Sequence, residues 1–248
     1  MSEYLNKKQL KINYRTASRS AIFLLYVILT SNIFTASAQV IPLNKYGLPV
    51  VNTVTLYKQL ASADSNQVLV DITTYIPGIL KDIRYATKVN FTHQQLYPNA
   101  AVYLRLPAAK ALRAVQQELN KKGLGLLIYD AYRPYSITEK MWEIVPDDRY
   151  AADPRKGSGH NRGAAVDLTI IYLRSGKPVA MPTDFDDFTE EAHHDYAVTD
   201  SIVADNRRLL RTTMEKYGFT ALPTEWWHYY LKDYKQYPLM DIPFSSIK

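Results

Sequence analysis

The 248-residue sequence contains no cysteine. That excludes disulfides, a thiolate nucleophile and a structural zinc held through sulfur. It also removes the lipobox cysteine needed for lipid anchoring. Internal repeats and low-complexity blocks are missing, and no Arg/Lys stripe interleaved with aromatics follows the first forty residues, so nucleic-acid binding has no compositional support. The apolar run Ala21 to Leu29 is short for a bilayer span, although Ile33 and Phe34 extend it.

What is present at the front is a leader pattern. Lys7, Lys8, Lys11, Arg15 and Arg19 precede the apolar run, and Ala36-Ser37-Ala38 supplies the small-x-small motif that a signal peptidase reads. Cleavage after Ala38 leaves Gln39 as the new terminus, and no stable membrane anchor is expected afterwards. Five basic residues against Glu3 make the leader +4 of the formal +6, so the basic balance says little about partners. The expected location is exported, periplasmic or extracellular. Without disulfides, stability must come from the core, and 47% hydrophobic content with twenty tyrosines is adequate for one.

Residues 39–74 are polar and mixed, with Pro42, Asn44, Gly47 and Pro49 as punctuation, and read as an extended N-terminal arm. The catalytic domain is then expected over 75–248. Ala108, Ala111, Leu112, Val115 and Leu119 share one face of a helix over 107–122, with Pro107 near its start and Gly123 past its end. Leu124 to Tyr129 reads as a buried strand, Tyr135 to Val145 as a second helix, and 146–163 as a loop. Ala164 to Leu173 reads as a central strand, Ser201 to Tyr217 as a third helix, and Phe219 to Leu222 with Trp226 to Leu231 as paired strands. This order predicts a single compact α+β domain, with a mainly antiparallel central sheet and flanking helices.

Chemistry concentrates at three places. Asp167 is a lone charge among Val166, Leu168, Ile170 and Ile171, and a buried carboxylate without a partner costs several kcal/mol. It is either a metal ligand or a salt-bridge or turn partner of Arg162 and nearby amides. His160 follows a glycine-flanked loop, and His228 ends Glu225-Trp226-Trp227-His228. Singly, His228 reads as a core histidine and Glu225 as a cap or surface residue. Jointly, His160, Asp167 and His228 make three ligands, leaving a position for water on a catalytic zinc, with Glu225 as the carboxylate base. The set also suits iron(II). On a regular strand Glu225 and His228 would face opposite sides, so a bend at Pro223-Thr224 is required. Arg133, after the Leu124–Tyr129 strand, is a surface charge, an ion-pair partner of Asp130 or an oxyanion stabiliser. His193-His194, beside Glu190 and Glu191, reads as a solvated turn.

The segments Asp130-x-Tyr132-Arg133-Pro134, Ser158-x-His160-x-x-Gly163-x-Ala165-x-Asp167-Leu168-Thr169 and Glu225-Trp226-Trp227-His228-Tyr229 resemble the VanX-type D-alanyl-D-alanine dipeptidases. Arg84-Tyr85-Ala86-Thr87 with Asn90-Phe91, and Asp205 to Arg211, extend the likeness over roughly 75–245. The resemblance implies a zinc peptidase fold shared with D,D-carboxypeptidases and the hedgehog domain. One Zn2+ per chain would sit on the sheet, held by His160, Asp167 and His228. It further implies Glu225 as general base and Arg133 as oxyanion arginine. Ser158 would receive the substrate carboxylate, and Asp186 and Tyr85 would flank the amino group, with Asp184 and Asp187 close by. Asp130 is assigned to substrate binding with them.

The implied activity is exported, zinc-dependent hydrolysis of the dipeptide D-Ala-D-Ala to two D-alanines. The alternative is a peptidoglycan D,D- or L,D-carboxypeptidase on the same scaffold. A zinc-stabilised binding domain is the non-enzymatic rival, against which the presence of both Glu225 and Arg133 weighs. The leader and a shorter stretch between Arg133 and His160 depart from the best-known members. Nothing in the sequence sets an oligomeric state.

Overall fold

A strand that is apolar on both faces must be covered on both faces. The computed structural model, which describes residues 40–247, is organised around such a strand. The expected leader and its cleavage point lie outside the described residues. In chain order the strands are β1 (Val50–Val51), β2 (Leu69–Asp71), β3 (Leu80–Lys81), β4 (Tyr103–Arg105), β5 (Leu124–Asp130), β6 (Ala165–Tyr172), β7 (Phe219–Ala221), β8 (His228–Leu231) and β9 (Leu239–Met240). The α-helices are α1 (Val54–Ala63), α2 (Ile72–Tyr75), α3 (Leu106–Asn120), α4 (Tyr135–Ile144) and α5 (Ser201–Lys216).

The main sheet has the order β3-β5-β6-β8-β7. The pairs β5/β6, β6/β8 and β8/β7 are antiparallel, and only β3 joins in parallel, so the fold is the expected α+β domain with a mainly antiparallel sheet. Two short ladders, β1 with β9 and β2 with β4, lie beside it. In β6 every residue from Ala165 to Ile171 is buried. Helices α3 and α5 pack against the sheet and against each other. The α3 stripe Ala108, Leu112, Val115 and Leu119 is fully buried, and Pro107 sits in its first turn, where a missing N–H costs nothing. Gln116, also buried, spends its side-chain oxygen on the Leu126 N–H at 2.9 Å, tying α3 to β5.

The segment 39–74 departs from the expectation of an extended arm. Thr53 caps α1 by accepting from the Leu56 N–H. Val51, Tyr57, Leu69 and Ile72 belong to the same core as β5 and β6, and β2 is hydrogen-bonded along β4. The turn residues Pro42 to Pro49 mark only the entry, and the apolar spacing of Val54, Tyr57 and Ala61 that follows them is helical. No domain boundary therefore falls at residue 75.

Between β7 and β8 the chain makes the bend that Glu225 and His228 require: Glu225 N–H donates to Leu222 O and His228 N–H to Glu225 O. The bend lacks regular structure yet is anchored. Trp226 and Trp227 are each 1% exposed, and burying an indole of about 200 Å² stabilises by roughly 5 kcal/mol. Trp226 Nε1 also donates to Thr183 Oγ1 at 2.9 Å.

Candidate metal centre and active site

Strand register assembles the centre. Asp167 in β6 lies directly opposite His228 in β8 and, past a bulge at Ile128/Asp130, opposite Asp130 in β5. Three acid or imidazole side chains thus form a row across adjacent strands. His160 reaches the row from a 3-10 turn (His160–Arg162) that closes the long loop. Gly163 ends that turn with φ 65°, and Arg105 secures it from below, its Nε donating to Arg162 O at 2.7 Å.

His160 Nδ1 lies 2.7 Å from Ala131 O. A carbonyl only accepts, so Nδ1 carries the proton and Nε2 presents a bare lone pair to the row. His160 Nε2 is 3.3 Å from His228 Nδ1 and 3.4 Å from Asp167 Oδ2, and His228 Nδ1 is 2.8 Å from Asp167 Oδ1. Ligands about 2.0–2.2 Å from a tetrahedral ion stand about 3.3–3.5 Å apart. His160 Nε2 stands at that spacing from the other two groups, while His228 Nδ1 and Asp167 Oδ1, at hydrogen-bond distance, need only part slightly to take one small divalent cation between the three. All three are buried. Burial alone would raise the Asp167 carboxyl, but the two imidazoles outweigh it and hold the group well below the carboxylate range. No ion pair joins Asp167 to Arg162, whose guanidinium instead donates to Tyr237 O.

Around this row lies a cleft of about 190 Å³ lined by Tyr85, Arg133, Ser158, His160, Asp167, Asp186, Glu225 and His228, with Asp148, Tyr150, Phe188, Trp227, Tyr230 and Tyr234 among the remaining wall residues. Glu225 Oε2 is 3.8 Å from His228 Nδ1, beside the cation position without joining the ligand set. Burial pushes its pKa up to about 7; the His228 imidazole works against this and the Asp167 charge adds to it. Its side chain keeps 20% exposure, at the cleft wall. Such a carboxyl can exchange a proton near neutrality.

Arg133 is paired with Asp130 and also faces the cleft. Its Nε and Nη2 donate to Asp130 Oδ2 at 3.0 and 2.7 Å, yet the guanidinium still lines the cleft. Burial opposes its charge, but Asp130 more than compensates and keeps the group firmly protonated. Asp130 itself is 1% exposed. Its other oxygen accepts from Tyr97 and it does not line the cleft, so it stands behind Arg133 rather than in reach of a substrate.

Ser158 Oγ accepts from His160 N–H at 3.1 Å, leaving its own hydroxyl proton to donate. Asp186, at φ 61°, accepts from the Tyr85 hydroxyl at 3.1 and 3.2 Å. Burial raises its pKa well above normal, and the Asp167 and Glu225 charges add to that. Its neighbours are placed otherwise: Asp184 is exposed and Asp187 accepts from Thr189 N–H.

Two residues of the site escaped the sequence reading. Asn161, fully buried, donates to Arg133 O at 3.0 Å and Thr138 Oγ1 at 2.8 Å while accepting from Ser158 N–H at 3.0 Å, so one side chain clamps two loops. Its place beside His160 was the available signal. Tyr97 had none, being 33 residues from the aspartate it touches. His193-His194 is not a solvated turn: both His194 ring nitrogens are sealed from solvent, and burial lowers its pKa to about 4.

A family model described as D-ala-D-ala dipeptidase matches residues 65–246. The D-alanyl-D-alanine dipeptidase of Escherichia coli is 34% identical over 177 residues, 71% of this chain and 91% of that one. The D-alanyl-D-alanine dipeptidase of Enterococcus faecalis is 35% identical over 181 residues, 65% and 89% of the two chains. Among solved structures, a vancomycin-resistance D,D-pentapeptidase VanY in complex with Zn(II) aligns with TM-score 0.37 and 13% identity over 55% of this chain and 76% of that one. The class is therefore a metallopeptidase, a hydrolase. Within it, the chain belongs to the D-ala-D-ala dipeptidase family.

Proposed function

We propose that the protein hydrolyses free D-alanyl-D-alanine to two D-alanines, using one zinc ion held by His160, Asp167 and His228. The observation that carries this reading is the mutual approach of those three donor groups, 2.8 to 3.4 Å apart, with Glu225 and Arg133 on the same cleft. When bound, zinc would act as a Lewis acid, polarising the scissile carbonyl and bringing water ionisation near neutrality.

The chain's own residues do the rest. Glu225, with its pKa near 7, accepts a proton from the attacking water and returns it to the departing amine. Arg133 holds a positive charge beside the carbonyl oxygen as that oxygen gains negative charge. Ser158 donates to the terminal carboxylate, while Asp186, oriented by Tyr85, meets the ammonium group. An ammonium beside Asp186 favours its ionised form, reversing the effect of burial. A longer peptide would have to bring an uncharged amide to Asp186, so the dipeptide is preferred.

The leader pattern supports action outside the inner membrane, on dipeptide freed during cell-wall turnover or taken for salvage. An enzyme in that location does not drain the cytoplasmic dipeptide pool. Purified zinc-loaded protein incubated with D-Ala-D-Ala and, separately, with a stem pentapeptide ending in D-Ala-D-Ala should release D-alanine from the first at least about tenfold faster, the margin set by one unmatched charge. Faster release from the pentapeptide would make the protein a carboxypeptidase and overturn the dipeptide reading.

A further inference from the structure

Arg133 can stabilise a developing oxyanion only while its guanidinium keeps one orientation, because such donors act through prior alignment. Nε and Nη2 both donate to a single oxygen of Asp130. A carboxylate held at one oxygen can still rotate about its own axis, and the arginine would swing with it. The second oxygen is held by a residue outside the cleft: the Tyr97 hydroxyl donates to Asp130 Oδ1 at 2.7 Å. Tyr97 is 1% exposed. Its ring is fixed edge-on by Tyr85 and Phe244, at 5.8 and 5.1 Å between centroids, and its N–H donates to Tyr85 O. The Tyr85 ring lies 5.1 Å from Arg133 Cζ, so the tyrosine that anchors Tyr97 also packs on the guanidinium. Burial and the Asp130 charge raise the Tyr97 pKa, so the hydroxyl stays protonated and stays a donor.

We propose that Tyr97 is a positioning residue for hydrolysis, which locks the Asp130 carboxylate and through it sets the orientation of Arg133 toward the transition state. The proposal rests on the hydrolytic reading above for its kinetic consequence, but not for its structural one. Tyr97→Phe removes a single oxygen and keeps the ring. With zinc-loaded enzyme and D-Ala-D-Ala, the expected result is a fall in kcat on the order of 10- to 100-fold with KM within about twofold, since misalignment is felt in the transition state. In an Arg133→Ala background the same substitution should change kcat by less than about twofold, as expected of a residue acting through Arg133. An unchanged kcat, or an equal loss in both backgrounds, would overturn the proposal.

A second readout needs no turnover. The Arg133 Nε–H, assigned by its loss in Arg133→Lys, should exchange with solvent on the order of ten times faster in Tyr97→Phe than in the parent. Unchanged exchange overturns the proposal even if the dipeptide proves not to be the substrate, whereas an inactive parent with faster exchange in the variant sinks only the hydrolytic reading. Should Tyr97→Phe fail to fold, Asp130→Asn must show the kcat loss and its disappearance in the Arg133→Ala background. Failure to show both also overturns the proposal.

Discussion

Glu225 shows how one side chain acquires its chemistry from its surroundings. An ordinary glutamate is fully ionised at pH 7 and a poor proton donor. Burial moves this one to about 7, where both forms are populated and it can act first as base and then as acid. It is not in the donor set of the cation site, so its loss should separate chemistry from metal binding. Glu225→Gln is expected to lower kcat by roughly 10² to 10⁴ with zinc content unchanged at one per chain, checked by elemental analysis alongside the rate. Near-normal turnover in that variant would contradict its role as base. Single residues were unevenly legible. Asp167 declared itself because a lone charge in an apolar strand needs partners, and Glu225 because it shares a motif with His228. Asp130 is legible as a charged loop residue, but not as the support for Arg133, since that depends on which way a buried carboxylate turns. His194 misleads because the glutamates beside it in sequence do not seal its ring in space.

At the level of elements, the centre is a matter of register. A one-residue slip of β8 against β6 would turn His228 away from Asp167. The turn that brings His160 in is equally constrained. Gly163 sits at φ 65°, and a Cβ there would lie 2.7 Å from Leu69 Cδ2 and 3.3 Å from Arg105 Cγ. Gly163→Ala combines left-handed strain of about 1–2 kcal/mol with overpacking of about 1–3 kcal/mol, so a loss of roughly 2–5 kcal/mol is expected. At roughly 2–4 °C per kcal/mol for a domain of this size, the melting temperature should fall clearly, and a shift under about one degree would show that the turn relaxes freely. The principal helices and the strands β5, β6 and β8 could be read from their apolar spacing, and the three-residue β7 from its place between Gly218 and Pro223. The strands β2, β3 and β4 could not, because two or three residues carry no period. The N-terminal segment was misjudged because the turn residues 42–49 precede a helix whose apolar stripe has polar neighbours, and only its packing into the main core reveals it.

For the whole molecule, the fold is expected to stand without the proposed metal. The core formed by α3, α5 and the main sheet extends far beyond the His160–Asp167–His228 row, so zinc is not needed to close it. Dialysis against a chelator should therefore abolish D-alanine release while far-UV circular dichroism stays unchanged, with the melting temperature lowered only by the linkage energy of the lost ion. Loss of secondary structure together with activity would instead mark a structural metal. The central claim is that three buried side chains hold one zinc ion and leave it open to water and substrate. X-ray absorption of the zinc-loaded protein tests this most directly. The account predicts one zinc per chain with two nitrogen ligands and one carboxylate from the protein, at about 2.0–2.2 Å, plus a water oxygen. Zinc that fails to bind stoichiometrically, or that is enclosed by four protein donors, would contradict it.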